Sequence, residues 1–124
     1  MSHLFGLIPS PPSLQARSRV QDLKARLDWG EPALTIVDTR DRTLFKISHI
    51  RGAVSIPMEQ LAATALATLE LDRDIYIYGE TDDETAIAAD LLRQIGYQNV
   101  SELRGGVAAW RAVDYPIENM IAVS

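Results

Sequence analysis

The sequence contains no cysteine among its 124 residues. This absence excludes disulfide bonds, zinc–thiolate sites and any catalysis in which a thiol of this chain is the nucleophile. It carries no information about the redox state of the compartment, because a chain without cysteine is compatible with either state.

Positive charge is also scarce, since 12 Lys and Arg residues face 17 Asp and Glu residues and give a net charge of −5. A nucleic-acid-binding surface needs clustered basic residues, so we expect no nucleic-acid partner. No apolar run approaches the roughly 18–20 residues of a transmembrane helix, and the N-terminus lacks the basic and apolar segments of a secretory signal. We therefore expect a cytoplasmic protein without a membrane partner.

The length and composition are those of one ordinary globular domain, with 47% apolar and 23% charged residues. Residues 1–16 are rich in proline and serine and are predicted to form an extended N-terminal arm. The apolar residues of this arm are candidates for docking on the domain or for forming a homodimer. The folded domain is predicted over residues 17–118, followed by a C-terminal tail over residues 119–124.

Short apolar runs alternate with stretches of helical periodicity along the chain. Strands are predicted over residues 34–38, 53–56, 75–78 and 99–103. Helices are predicted over residues 18–29, 41–46, 58–69, 84–94 and 107–112. This alternation predicts an α/β fold of three layers, in which helices cover both faces of a mostly parallel sheet of four or five strands.

Local signals define the ends and the inner faces of two of these helices. Ser18 with Gln21 fits a capping box at the start of the first helix, and Gly30 fits its end. In the helix over residues 84–94, apolar side chains recur every four residues and are predicted to face the core, with Ala88 and Leu92 beside them. They are Ile87, Leu91 and Ile95.

Ligands of parallel α/β sheets bind at the carboxyl ends of the strands. Three segments of this sequence are predicted to meet there: residues 38–40, 79–85 and 105–106. This argument predicts where a site lies, and it does not identify the ligand.

Six short motifs follow one another between about residue 18 and residue 117. They are residues 35–40 (TIVDTR), 49–53 (HIRGA), 55–57 (SIP), 96–100 (GYQNV), 105–110 (GGVAAW) and 115–117 (YPI). Each motif is weak alone, but their order and spacing resemble those of the rhodanese-like domains. The resemblance implies the rhodanese-like version of the three-layer α/β/α fold.

The chemistry of the rhodanese-like family depends on a cysteine between a strand and a helix. Its thiolate attacks a sulfane sulfur and becomes a persulfide, while loop amides, a helix N-terminus and arginines stabilise the thiolate and the anionic substrate. By this resemblance, the cysteine position falls on Gly79 in the present sequence. Sulfur transfer is therefore not expected, and neither is the cysteine-dependent phosphatase activity found on this fold.

The resemblance identifies residues 79–85 (GETDDET) as a vestigial active-site loop with no catalytic residue. Its members are Gly79, Glu80, Thr81, Asp82, Asp83, Glu84 and Thr85. Glu80 and Glu84 stand at the family's arginine positions, so the loop is expected to repel anions. The Thr85 hydroxyl is predicted to cap the helix that follows.

Further residues are placed around the pocket by the resemblance: Asp38, Arg40, His49, Gly105 and Gly106. Asp38 and Arg40 are predicted to form a structural ion pair, and His49 to serve as a hydrogen-bonding residue in a turn. The two glycines are predicted to form a tight turn.

Three functions remain open at this point. The first is a non-catalytic binding or regulatory module for a protein partner, and the acidic loop suits a basic partner. The second is a sulfurtransferase, which would need a thiol from another chain. The third is metal-assisted hydrolysis by the carboxylates of the loop. Their spacing does not match an EF-hand, so a solvated loop without metal or cofactor is expected.

Overall fold

The computed structural model describes residues 14–30 and 33–120. The strands are β1 (Arg17–Ser18), β2 (Leu34–Asp38), β3 (His49–Ile50), β4 (Val54–Ser55), β5 (Asp74–Tyr78), β6 (Asn99–Leu103) and β7 (Ile117–Glu118). The helices are α1 (Val20–Trp29), α2 (Arg42–Ile47), α3 (Leu61–Thr68), α4 (Asp82–Gln94) and α5 (Gly106–Ala112), and a 3₁₀ turn (Met58–Gln60) precedes α3. Most of the predicted N-terminal arm and the end of the predicted tail lie outside the described residues.

Five strands form one parallel sheet in the order β1-β6-β5-β2-β4, and β3 pairs with β7 in a separate antiparallel ribbon. The central strand is β5, in which Ile75 lies opposite Thr35 of β2 and Val100 of β6. The predicted parallel sheet with helices on both faces is confirmed. Each βαβ crossover leaves the carboxyl ends of the strands at one common edge.

The two faces of the sheet carry separate cores because successive side chains of a strand point in opposite directions. In β5, Tyr76 and Tyr78 pack with Trp110 of α5 on one face. Ile75 and Ile77 pack on the other face with residues of α3 and α4. This alternation along one strand produces the three layers.

The first helix begins later than the sequence predicts. Ser18 belongs to β1, where it lies opposite Leu103 of β6 and where its carbonyl accepts a hydrogen bond from the Arg104 N–H. The N-cap is Arg19, whose N–H donates a hydrogen bond to Asp22 Oδ2 at 3.0 Å, so the predicted box of Ser18 with Gln21 is wrong. Pairing at the edge of the sheet competes with the helix for the Ser18 backbone. The predicted end at Gly30 is confirmed, with φ of 89°.

The inner face of α4 also differs from the prediction. Its buried residues are Thr85, Ala88, Ala89 and Leu92. Ile87, predicted to face the core, is instead 60% exposed. The two adjacent alanines allow the helix to pack closely on β5 and β6, and the larger isoleucine lies outside that contact.

Two other predicted elements are shorter than expected. The strand over residues 53–56 contracts to Val54–Ser55, because β4 is an edge strand that pairs only over two residues with β2. The helix over residues 58–69 is divided into the 3₁₀ turn and α3. None of the helices in the described part of the chain has the length and apolar character that a bilayer-spanning segment requires.

Candidate functional site

At the carboxyl edge of the sheet, the residue that follows β2 is hydrogen-bonded both to the end of β5 and to the chain that precedes α3. The Thr39 N–H donates a hydrogen bond to the Tyr78 carbonyl at 3.0 Å, and the Thr39 hydroxyl donates to the same oxygen at 3.2 Å. The Met58 N–H in turn donates to the Thr39 carbonyl at 3.2 Å. These backbone bonds fix Thr39 and Gly79, the residues that directly follow β2 and β5, side by side.

The Gly-Gly turn after β6 lies against the same edge. A Cβ atom on Gly106 would lie 3.3 Å from Tyr78 Cδ1 and 3.4 Å from the Gly79 carbonyl oxygen. Because Gly106 also has φ of 52°, a side chain at this position would be both crowded and strained. The structure thus brings together the three segments at residues 38–40, 79–85 and 105–106.

The loop between β5 and α4 is closed by the Thr85 hydroxyl. This hydroxyl accepts a hydrogen bond from the Gly79 N–H at 2.7 Å and donates one to the Thr81 carbonyl at 2.9 Å. Thr85 is 2% exposed and lies inside the first turn of α4. The buried N–H at the start of the loop is thereby satisfied by a side chain six residues along the chain.

The N-cap of α4 is Thr81, so the prediction that Thr85 caps this helix is wrong. The Thr81 hydroxyl oxygen accepts a hydrogen bond from the Glu84 N–H at 3.1 Å. Since the helix begins at Asp82, Thr85 is already helical and its side chain points toward Gly79. Capping and loop closure are therefore separate tasks of two threonines.

The four acids of the loop are not equivalent. Asp82 accepts a hydrogen bond from the Gly105 N–H at 2.9 Å and forms an ion pair with Arg104 at 3.3 Å. Glu80, Asp83 and Glu84 are exposed, and their carboxylates form no hydrogen bond or ion pair with the described residues. Asp82 thus joins α4 to the turn after β6, while the other three carboxylates face solvent.

The predicted ion pair between Asp38 and Arg40 is present and buried. Their closest approach is 2.7 Å, and the Arg40 guanidinium also donates to the Ser48 carbonyl at 2.6 Å. Burial opposes the charged guanidinium, but the hydrogen bonds and charge of Asp38 outweigh it and raise the pKa of Arg40. The pair links the end of β2 to the residue before β3, which supports a structural role.

Tyr78 is the last residue of β5, and its side chain anchors the strand on the face of the sheet opposite to α4. Its hydroxyl oxygen accepts a hydrogen bond from the Ile50 N–H at 3.1 Å, and its ring centroid lies 5.6 Å from the Arg40 guanidinium carbon. Burial, with a further contribution from the charge of Asp38, raises the pKa of the Tyr78 hydroxyl far above its ordinary value. The residue that precedes Gly79 is thus fixed at both ends.

His49 lies at another cavity of the molecule. Its ring is stacked on Phe45 at a centroid distance of 3.6 Å, and its Nδ1 is 2.7 Å from the Phe45 carbonyl oxygen. Its Nε2 is 3.4 Å from Oε1 of Glu118. Together with Ala53, Asn119 and Met120, these three residues line a cavity of about 550 Å³. His49 thus makes the predicted kind of hydrogen bond, but it lies in β3 and not in a turn, and it lines this cavity and not the pocket beside Gly79.

A smaller pocket opens beside Gly79. It has a volume of about 200 Å³ and is lined by Thr39, Met58, Glu84 and Ile87. A Cβ atom on Gly79 would lie 3.2 Å from Thr39 Oγ1 and 3.3 Å from Glu84 Cβ, so two of the four lining residues flank the glycine. Neither Met58 nor Ile87 could be assigned to this pocket from the sequence, because the pocket depends on how α4 packs beside the 3₁₀ turn.

Within residues 14–30 and 33–120, no three histidine, aspartate or glutamate side chains lie close enough together to hold a metal ion.

A family model for the rhodanese-like domain matches residues 19–113. The chain belongs to the rhodanese-like domain family. This rhodanese-like domain is 33% identical over 91 residues to the probable adenylyltransferase/sulfurtransferase MoeZ of Mycobacterium tuberculosis. The alignment covers 73% of the chain and 23% of MoeZ. It is 33% identical over 97 residues to a sulfurtransferase of Allochromatium vinosum, in an alignment that covers 78% of the chain and 89% of that protein. The chain thus spans less than a quarter of MoeZ.

Solved structures share the fold of this rhodanese-like domain. The crystal structure of the Alr3790 protein from Anabaena sp. has a TM-score of 0.82 at 50% identity, over 84% of this chain and 81% of that one. The thiosulfate sulfurtransferase from Pseudomonas aeruginosa has a TM-score of 0.78 at 25% identity, over 86% of this chain and 20% of that one. The family and the fold class expected from the sequence motifs are confirmed.

Proposed function

We propose that this rhodanese-like domain lacks sulfurtransferase activity and acts as a binding or regulatory module for a basic protein partner. The observation that carries the proposal is Gly79, which stands directly after the central strand, where the resemblance of the sequence motifs puts the family's cysteine. Glycine has no side-chain atom that could form a bond to sulfur. The 124 residues contain no other thiol that could substitute for it.

The charge of the loop supports the same reading. A persulfide-forming site holds an anionic substrate, and its thiolate is favoured by nearby positive charge. Here, Glu80, Asp83 and Glu84 present three solvent-facing carboxylates on the loop, and Glu84 also lines the pocket. These groups would repel thiosulfate and attract a cationic surface.

Sulfur transfer is the alternative, and it rests on the names of the relatives. The Allochromatium sulfurtransferase aligns with most of this chain. For that activity, a thiol would have to come from another chain and enter the pocket beside Gly79. The present proposal therefore predicts no cyanide-dependent turnover of thiosulfate by the purified chain.

The binding proposal is tested by panning a library of random displayed peptides on the purified chain. The wild type is compared with the variant E80Q/D83N/E84Q, which leaves Asp82 and its bond to the Gly105 N–H intact. Lysine- and arginine-rich peptides are expected on the wild type and lost on the variant. Equal recovery of the same sequences from both proteins would contradict the proposal.

A charge-matched control separates the loop from the net charge of the molecule. The variant E70Q/D72N/D90N removes three exposed carboxylates elsewhere. We expect this control to recover the same basic peptides as the wild type. If it loses them as completely as the loop variant does, binding follows net charge and the loop is not the binding element.

A further inference from the structure

The pocket beside Gly79 combines apolar walls with one carboxylate at its mouth. Met58 and Ile87 form the walls, and Ile87 leaves 60% of its surface exposed. Glu84 contributes the carboxylate, which has no hydrogen-bond or ion-pair partner within the described residues. This combination suits a ligand that is apolar along its length and positively charged at its end.

Two cations on the segments that meet at this edge of the sheet are already engaged. Arg40 is held by Asp38 at 2.7 Å, and Arg104 is paired with Asp82 at 3.3 Å. The charge of Glu84 is therefore available to a ligand from outside the molecule.

The size of the pocket limits the ligand further. Its volume of about 200 Å³ is below the roughly 300–1,000 Å³ of typical small-molecule sites. A single side chain fits this volume better than a cofactor-sized ligand does.

We infer that this pocket receives one long basic side chain, arginine or lysine, from the protein partner. The inference rests on the proposed function and names the contact by which the partner is held. The aliphatic stem of the ligand packs between Met58 and Ile87. Its charged end lies against Glu84, and the Thr39 hydroxyl completes the lining.

The probe for this inference is a blocked Gly-Arg-Gly peptide, titrated into the isotope-labelled chain and followed by amide chemical shifts. The matched probe carries citrulline, which has nearly the shape of arginine but no charge. We expect saturable shifts centred on Thr39, Met58, Glu84 and Ile87 with the arginine peptide, and about threefold weaker binding of the citrulline peptide. Equal binding of both peptides, or shifts centred elsewhere, would overturn the inference.

Two variants test the walls and the charge separately. E84Q is expected to weaken binding of the arginine peptide by about threefold, the scale of a solvent-accessible ion pair. I87S removes an exposed apolar wall and is expected to weaken it similarly, with thermal unfolding as the check on the fold. D90N alters an exposed acid of α4 that lies six residues after Glu84 and outside the lining of the pocket, and it is expected to bind like the wild type.

The outcomes distinguish this inference from the proposed function. If E84Q and I87S bind the arginine peptide like the wild type, the pocket assignment is wrong. The proposed function then still stands if E80Q/D83N/E84Q abolishes recovery of basic peptides. If that variant also behaves like the wild type, both are wrong.

Discussion

The Thr85 hydroxyl lies 2.7 Å from the Gly79 nitrogen and closes the loop between the central strand and α4. Both residues are buried, so the Gly79 N–H has no access to water in its place. The bond spans the loop that in active relatives would carry the nucleophile. It holds the two ends of that loop together.

The first prediction concerns the loss of this hydroxyl. Thr85→Val keeps the shape of the side chain but leaves the buried Gly79 N–H unsatisfied, which we expect to lower the free energy of unfolding by about 1–3 kcal/mol. Thr85→Ser keeps the hydroxyl and is expected to retain most of the stability. Urea unfolding of the three proteins measures the difference, and equal stability of the valine and serine variants would contradict it.

The second prediction concerns alkaline pH. The pKa of Tyr78 is raised in the folded state by burial, so its contribution to stability is fully present below the unfolded pKa of about 10 and is lost as the pH rises above it. Tyr78→Phe leaves the Ile50 N–H without its acceptor and is expected to cost about 1–3 kcal/mol at neutral pH.

The Tyr78→Phe variant should also lose stability less steeply above pH of about 10. The free energy of unfolding of the variant should still fall somewhat with rising pH, because burial also raises the pKa of Tyr76. Unfolding by urea at a series of pH values checks this expectation. Parallel curves for wild type and variant would show that Tyr78 does not contribute to the alkaline loss.

The third prediction concerns the turn after β6. Gly105 has φ of 80°, and a Cβ atom there would lie 2.4 Å from the Ala109 Cβ. Gly52 has φ of 90° and open space around its Cα. Gly52→Ala thus bears only the backbone strain, of order 1 kcal/mol, while Gly105→Ala adds a steric clash. Thermal unfolding should show Gly105→Ala as clearly the less stable protein.

The fourth prediction concerns restoration of the thiol. Gly79 does not have a positive φ, and a Cβ atom would require Thr39 Oγ1 and Glu84 Cβ to shift by a few tenths of an ångström. Gly79→Cys should therefore fold. Its thiol pKa should be roughly one unit higher than that of G79C/E80Q/E84Q, because the two carboxylates disfavour the thiolate.

Thiolate absorbance as a function of pH measures these pKa values. The control G79C/E70Q/D90N removes two exposed carboxylates outside the loop and should titrate like Gly79→Cys alone. If all three cysteine variants share one pKa, the acids of the loop do not set the electrostatics of this position.

The sequence predicted the sheet because its strands are apolar, β-branched runs whose pairing is dictated by the βαβ order. Leu34–Asp38 is an example in which even the boundaries agree. The edge strand at Ser18 could not be predicted from its two residues, since its pairing depends on β6. A capping signal in the sequence was outweighed there by a tertiary contact.

The candidate site, like the fold, could be predicted only in part from the sequence. The meeting of residues 38–40, 79–85 and 105–106 follows from topology, which places the ends of parallel strands at one edge. The assignment of Thr81 as cap and Thr85 as loop closure depends on where α4 begins, and two threonines four residues apart compete for that role. The exposed position of Ile87 depends on close packing of alanines, which periodicity does not reveal.

The central claim, that this rhodanese-like domain forms no covalent sulfur intermediate, is tested most directly by intact-mass spectrometry after incubation with thiosulfate. An active sulfurtransferase treated in parallel provides the positive control. The account predicts an unchanged mass for this chain, because neither Gly79 nor any other residue offers a thiol. A mass gain of one sulfur atom that is removed by cyanide would contradict it.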